Sequence, residues 1–309
     1  MRLAAVDLGS NSTRLLIADL DDAGRLTDVE RRSTVTRLGH GVDRNGRLDP
    51  AAVDRVAEEL VIVRALLDRH GVERAVGVMT SAVRDAEDGG RFEAMVRDRF
   101  AIDARTISGT REAELTYRGA TAGRDDPAGA RIAVVDIGGG STEIIVGDDR
   151  GIAFSTSVQA GVVRHGERFL AHDPPESDEL VALAGDARGR FAAAVPPEHR
   201  TGVDTVIAVA GTATTCATID LEISAYDPDR VHGYRLPLAR VDELLAYLSS
   251  MDVDERARVT GLDPSRAPTI VPGCVLLAEV VRLFDVRELE ASDHDILRGI
   301  IVATATGGL

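Results

Sequence analysis

Apolar and polar positions follow a strand rhythm along the first forty residues. Residues 3–8 and 14–20 are apolar runs around a short loop, and Asp21, Asp22 and Gly24 supply the chemistry of a hairpin turn. Residues 29–36 alternate polar and β-branched side chains and predict a third strand. At Pro50 the period lengthens. Val53, Val56, Leu60, Val63 and Leu67 recur every three or four residues, which predicts an amphipathic helix over about 50–70, closed by Gly71. A buried strand at 75–79, a helix near 90–100, a strand at 104–107 and a helix over about 111–120 follow, the last capped by Ser108-Gly109-Thr110. Residues 121–130 are polar and Gly-rich and read as a linker.

The pattern then restarts. Strands are predicted at 131–137, 143–147 and 152–157, then a helix with Arg164, Arg168 and Phe169, a helix at 177–194, a turn at 195–201 and a buried strand at 205–210. Helices near 238–250, 252–260 and 268–284, a strand at 287–291 and a last helix at 293–305 complete the chain. A β-rich meander followed by alternating β and α, stated twice, predicts an α/β fold of two similar lobes. The expected boundaries are 1–122 and 123–309, with the final helix (293–309) a candidate to pack back on the first lobe; 309 residues suit two domains.

The duplication is also legible letter by letter. Residues 4–13 read AAVDLGSNST and residues 133–142 read AVVDIGGGST, identical at six of ten positions. Each copy is an apolar strand, an Asp, a tight loop of Gly, Ser or Asn, and a second apolar strand. Loops without bulk let backbone N–H groups close around a phosphate, and an Asp at a strand end can hold a metal ion through water. The expectation is a phosphate-binding cleft flanked by the lobes. Gly9, Ser10, Asn11 and Ser12, with the hydroxyls of Ser10, Ser12 and Thr13, are its expected donors on one side; Gly138, Gly139, Gly140, Ser141 and Thr142 are those on the other. Three consecutive glycines cost roughly 0.5–1 kcal/mol each against alanine in regular structure, so they point to close approach by a ligand. Glu143 stands where the first copy has Arg14. A carboxylate beside a phosphate is costly unless a cation neutralises it. Asp7, Asp136 and Glu143 are therefore read as a Mg²⁺ site, mostly through waters; the bland alternative for Glu143 is a solvated strand end.

Composition narrows the field. Hydrophobic residues make up 44% and mean hydropathy is −0.03, ordinary for a soluble globular chain. No apolar run approaches the ~20 residues that span a membrane, and no signal-peptide pattern opens the sequence. Cys216 and Cys274 form no CxxC pair, so two reduced thiols in a cytoplasmic protein are expected. A net charge of −15 argues against nucleic-acid or anionic-membrane partners and requires that any phosphate be held by a locally positive site. All 36 basic residues are Arg. With no Lys, a P-loop lysine, a kinase strand lysine and Schiff-base chemistry are excluded.

Further positions carry candidate chemistry. Arg84, after Thr80-Ser81-Ala82-Val83 at a strand end, can fork onto phosphate oxygens; a salt bridge to Asp85 or Glu87 is the plainer reading. Gly211 and Thr212 follow a buried strand and read as a third phosphate-contacting turn or a helix N-cap, roles that can coexist. Arg164 and His165 are read as surface residues or as the lining of a polyphosphate path. His294, between Asp293 and Asp295, reads as part of an Asp-rich helix start rather than a metal site.

These motifs resemble a known family. Asp7-Leu8-Gly9-Ser10-Asn11-Ser12, Thr80–Arg84, Ile107-Ser108-Gly109-x-x-Glu112-Ala113, Asp136–Glu143, Gly211-Thr212 and Val271-Pro272-Gly273 are similar to those of the exopolyphosphatase / guanosine pentaphosphate phosphohydrolase (Ppx/GppA) family, in its short two-lobe form. The resemblance implies the duplicated actin-like, ribonuclease H-like fold of the sugar kinase, Hsp70 and actin superfamily. It makes Glu112, otherwise a plain helix-dipole residue, the base that takes a proton from water or orients it. Arg111 stands where members often carry an acidic or amide residue. The implied activity is Mg²⁺-dependent removal of terminal phosphate from inorganic polyphosphate. The alternatives are guanosine pentaphosphate (pppGpp) hydrolysis and a non-catalytic alarmone-binding regulator. A sugar- or acetate-type kinase is disfavoured for want of a Gly-Gly-Gly-Ala adenosine signature. A homodimer is a candidate assembly, with no interface legible.

Overall fold

The first strand is buried on both faces. In β1 (Arg2–Leu8), Ala4, Val6 and Leu8 join one apolar cluster while Leu3 and Ala5 join another, the period-two division of a central strand. The computed structural model describes residues 1–21 and 25–309, so the expected turn residues Asp22 and Gly24 lie outside the described residues. β2 (Ser12–Leu20) and β3 (Leu26–Val35) continue the meander antiparallel to β1. After the short helix α1 (Val42–Asn45), α2 (Pro50–Arg69) starts at an Asp49 N-cap with Pro at its first position, and buries Val56, Leu60, Val63 and Leu67. β4 (Arg74–Met79), α3 (Ser81–Asp85), α4 (Gly89–Phe100), β5 (Asp103–Thr106) and α5 (Gly109–Thr121) follow. The sheet order is β3-β2-β1-β4-β5, with β1, β4 and β5 parallel.

The second sheet repeats this plan. β6 (Ile132–Ile137), β7 (Thr142–Asp148) and β8 (Gly151–Val158) form its meander. α6 (Val162–Phe169), α7 (Ser177–Ala194), β9 (Thr205–Val209), α8 (Ala210–Asp220), α9 (Pro228–Val231) and β10 (Tyr234–Pro237) come next. α10 (Leu238–Ser249), α11 (Val253–Arg256), α12 (Ile270–Arg282) and β11 (Glu288–Ser292) complete it. From β8 inward the order is β8-β7-β6-β9-β11, the order of the first sheet, with β10 added antiparallel at the edge. Two such sheets make the α/β, actin-like architecture.

The chain divides into two compact units. Unit 1 is Met1–Ala122 with Asp295–Leu309, and unit 2 is Gly123–His294. The last helix, α13 (Ile296–Ala305), lies on the β1 face opposite α2, where Ile296, Leu297, Ile300 and Ile301 bury against Leu3, Ala5 and Leu115. α5 and α13 cross backbone to backbone. A Cβ on Gly119 would lie 1.9 Å from the Asp295 carbonyl oxygen, and one on Gly299 would lie 1.8 Å from that of Leu115. Only glycine permits either contact.

Some elements differ from the sequence pattern. The helix expected over 252–260 stops at Arg256, where the chain enters turns toward Gly261 (φ 86°). β10 went unforeseen because four residues ending in Pro show no periodicity. The thiols of Cys216 and Cys274, 58 residues apart, are free and buried with Sγ atoms 3.6 Å apart; the hydrogen bond shared with Cys216 and burial push the Cys274 thiol well up. Among the described residues no helix is long and apolar enough to cross a membrane.

Candidate functional site

Parallel pairing levels the strand ends. Leu8 pairs with Met79 and Met79 with Thr106, so the loops after β1, β4 and β5 leave the same edge of the first sheet. Those loops carry Asp7 to Asn11, Thr80 to Arg84 and Ile107 to Glu112. Asp136 pairs with Val209, so the loops after β6 and β9 share an edge of the second sheet. They carry Gly138 to Ser141 and Ala210 to Thr212. Ligands of α/β sheets bind beyond the carboxyl ends of parallel strands, because loops with free backbone groups collect there.

The duplicated loops close by the same turn. Gly9 N–H donates to the Ser12 carbonyl at 3.0 Å, and Gly138 N–H donates to the Ser141 carbonyl at 2.9 Å. These two N–H groups are therefore consumed by the turn and are not the phosphate donors expected of them. The other peptides of unit 2's loop are turned by α6. The Gly138 carbonyl accepts from Val162 N–H (3.0 Å), and the Gly139 carbonyl accepts from Val163 (2.9 Å) and Arg164 (3.2 Å). The Gly140 carbonyl accepts from Arg164 Nε at 2.8 Å. In a planar trans peptide the N–H points opposite the carbonyl. Holding three successive carbonyls against α6 therefore aims the N–H groups of Gly139, Gly140 and Ser141 away from it together. Among the described residues no backbone carbonyl accepts from these three. Unit 1 uses the loop after β3 in the same way. Ser10's carbonyl accepts from Gly39 N–H (2.7 Å), and Asn11's from Thr36 (3.0 Å) and Arg37 (2.9 Å).

Gly161 and Gly39 make these clamps feasible. A Cβ on Gly161 would lie 2.4 Å from the Gly139 carbonyl oxygen, and one on Gly39 would lie 2.7 Å from Ser10 Cβ. Sequence reasoning missed both, and placed Arg164 on the surface or along a substrate path, because nothing local marks a clamp that acts across more than twenty residues.

Several hydroxyls expected to hold phosphate face inward instead. Thr13 Oγ1 pairs with Thr36 Oγ1 at 3.1 Å, and Thr142 Oγ1 donates to the Ala160 carbonyl at 2.5 Å. Both bury in the layer beneath the loops, as β-branched strand residues do. Ser10 Oγ lies 2.8 Å from Ser81 Oγ and accepts Ala82 N–H at 3.1 Å, so it ties the first loop to α3. His165 is also in the core, neither surface residue nor path. Its Nε2 lies 3.1 Å from Asp186 Oδ2, and burial pushes the imidazole below its usual range.

α3 carries Arg84 and α5 carries Glu112, and the two meet. Arg84 Nη1 lies 3.3 Å from Glu112 Oε2 and donates to the Ile107 carbonyl at 3.1 Å, while its Nε is 3.9 Å from Asp85. Ser108 caps α5 by accepting Arg111 N–H, which leaves Glu112 out of the cap. Glu112 is 7% exposed, a buried carboxylate in the first turn of a helix. Glu114 pairs with Arg111 at 2.8 Å on another helix face.

Gly211 and Thr212 lie in the first turn of α8. Ala210 before them has φ 66°, a left-handed conformation costing a non-glycine residue on the order of 1 kcal/mol. Arg266, which sequence reasoning also missed, packs so closely that a Cβ on Gly211 would lie 1.6 Å from Nη1. A guanidinium has the sign that a helix N-terminus disfavours.

The carboxylates divide between the units. In unit 1, Asp7 is opposite Arg14 on the ladder, and Arg14 Nε and Nη2 reach Asp7 Oδ2 at 2.9 and 2.5 Å. Among the described residues Asp7 Oδ1 is buried without a hydrogen-bond partner, as is Asn11 Oδ1. Burial pushes the Asp7 carboxyl above its usual range, against the pull of Arg14. In unit 2, Asp136 is opposite Glu143, whose Oε1 accepts from Ser157 Oγ at 2.6 Å. Carboxylates directly opposite on a ladder repel. Among the described residues no three His, Cys, Asp or Glu side chains form a ready-made metal cluster.

Comparisons with known proteins give one answer. The model of the Ppx/GppA phosphatase family matches residues 16–306. The protein named exopolyphosphatase 2 of Mycobacterium tuberculosis strain H37Rv is 38% identical over 316 aligned positions, covering 98% of each chain. Among solved structures, the Aquifex aeolicus member of the Ppx/GppA family superposes with TM-score 0.82 at 29% identity, covering 99% of this chain and 98% of that one. An exopolyphosphatase from Cytophaga hutchinsonii superposes with TM-score 0.88 at 26% identity, covering 99% and 98%.

Proposed function

The chain belongs to the Ppx/GppA phosphatase family, and on that premise we propose that it is an exopolyphosphatase, hydrolysing the terminal phosphoanhydride bond of inorganic polyphosphate. The observation that carries this reading is the pair of half-buried Arg84 and buried Glu112, on the sheet edge that also carries the first loop. Phosphoryl transfer through a loose transition state needs positioning and charge stabilisation more than covalent chemistry. Within unit 2 the N–H groups of Gly139, Gly140 and Ser141 supply fixed positive dipoles suited to phosphate oxygens; within unit 1 Arg84 supplies a full charge with planar donors. Glu112 orients the attacking water or takes its proton; the partner guanidinium holds its carboxylate in one direction. The bridging oxygen leaves with the shortened chain, and the water oxygen stays with the released orthophosphate.

Mg²⁺ suits the remaining groups. Asp7 Oδ1 is an acceptor without a donor, which a phosphate cannot satisfy and the waters of a hydrated cation can. In unit 2, a cation would neutralise the carboxylates of Asp136 and Glu143, which stand opposite one another on the ladder. When bound, the ion supplies charge neutralisation for phosphate oxygens.

The test is orthophosphate release by the purified protein with Mg²⁺, from polyphosphate of several chain lengths and from guanosine pentaphosphate. Release from polyphosphate at a kcat/KM at least ~10-fold above that for the nucleotide is expected, a difference of about 1.4 kcal/mol. The reverse ranking would move the assignment to the nucleotide. Binding of the nucleotide with no release from either would make the protein a regulator.

A further inference from the structure

One ionic group in unit 1 is not used by the chemistry above. Arg14 reaches past Asp7, and its Nη1 lies 2.6 Å from Asp295 Oδ2. The guanidinium is 14% exposed and each carboxylate 5%. The other Asp295 oxygen, Oδ1, accepts Leu297 N–H at 3.0 Å and so caps α13. The Asp295 carbonyl lies against Gly119 of α5, at the point where only glycine fits. α5 carries Glu112 in its first turn. A continuous link therefore runs from Asp7 through Arg14 and Asp295 to the helix pair that presents the proposed base.

Stability does not explain the arrangement. Burying charges costs solvation that their attraction barely returns, and apolar replacements of such groups are often neutral or stabilising. The duplicated copy shows that the ladder does not require it, since Glu143 occupies the position of Arg14. Geometry explains it better. Both Arg14 contacts to Asp7 fall on Oδ2, so the carboxylate is fixed in rotation and only Oδ1 is left without a partner.

We propose that Arg14 and Asp295 are positioning residues for the hydrolysis: they lock Asp7 through Oδ2, leave Oδ1 to the reaction, and hold it in register with the helix bearing Glu112. The inference rests on the phosphohydrolase reading. It is tested with the full chain by steady-state polyphosphate hydrolysis and thermal melting of Arg14→Gln, Arg14→Lys, Asp295→Asn and the Arg14→Gln/Asp295→Asn double variant. Arg14→Gln is expected to lower kcat by ~10²-fold, the scale of an ångström of misplacement, with KM little changed. Arg14→Lys recovers only part, because a point charge cannot fork to two carboxylates. Asp295→Asn, nearly isosteric and still able to cap α13, is expected to lose ~10-fold and to keep the parent melting temperature. The double variant is no slower than Arg14→Gln, since both changes cut one link.

Singles that fold like the parent and turn over within a factor of two of it would overturn the inference. So would losses confined to KM, or losses that multiply in the double variant. If Arg14→Gln fails to fold, Asp295→Asn and Arg14→Lys carry the decision. A parent protein that releases no orthophosphate would remove the hydrolase reading itself; an active parent with unaffected variants would remove only the positioning role.

Discussion

Glu112→Gln is expected to lower kcat for orthophosphate release by ~10²–10⁴-fold, the range for removing a general base. KM should change by less than about 3-fold, because an interaction made chiefly in the transition state leaves substrate binding nearly intact. The substitution keeps the side chain's shape and leaves an amide oxygen for the Arg84 contact, now 3.3 Å to Oε2. Folding should therefore be unchanged, and thermal melting checks this. Turnover within about 3-fold of the parent in a folded variant would remove Glu112 from its role.

The second large effect is expected far from the carboxylates. In Gly161→Ala the new Cβ would meet the Gly139 carbonyl oxygen at 2.4 Å and the carbonyl carbons of Gly139 and Gly140 at 2.5 Å. All three are backbone atoms, so either α6 or the loop must move. Movement of either releases the clamp that aims the Gly139, Gly140 and Ser141 N–H groups. Loss of one such donor costs ~10²–10³-fold in other enzymes, so kcat/KM should fall at least ~10²-fold. Overpacking should also destabilise the fold by about 1–3 kcal/mol in urea. Gly166→Ala is the control on the same helix, where the nearest contact would be Pro272 Cγ at 3.4 Å. Equal activity of the two variants would contradict the clamp.

The contrast between these two residues marks what the sequence reveals. Glu112 was legible as a candidate because a motif names it, and Asp136 and Glu143 as candidates because a duplicated segment lines them up with Asp7 and Arg14. Central strands such as β1 were legible because burial on both faces leaves an unbroken apolar run. Donor direction was not legible. Whether Thr142 offers its hydroxyl to a ligand or to Ala160 depends on the path of the chain eighteen residues on. Gly138 reads as a phosphate contact until its N–H is found closing a turn with Ser141. Gly161, Arg164, Gly39 and Arg266 act on loops distant in sequence, and their own surroundings show no pattern. Arg14 is the intermediate case. Its contrast with Glu143 was visible, but its hold on Asp295, 281 residues away, belongs to tertiary structure.

Hydrolysis of polyphosphate in oxygen-18 water tests water attack on the terminal phosphorus most directly. Attack there places the label in the released orthophosphate, one atom per molecule, and leaves the shortened chain unlabelled. Label in the remaining polymer, or cleavage into long fragments without orthophosphate, would contradict it.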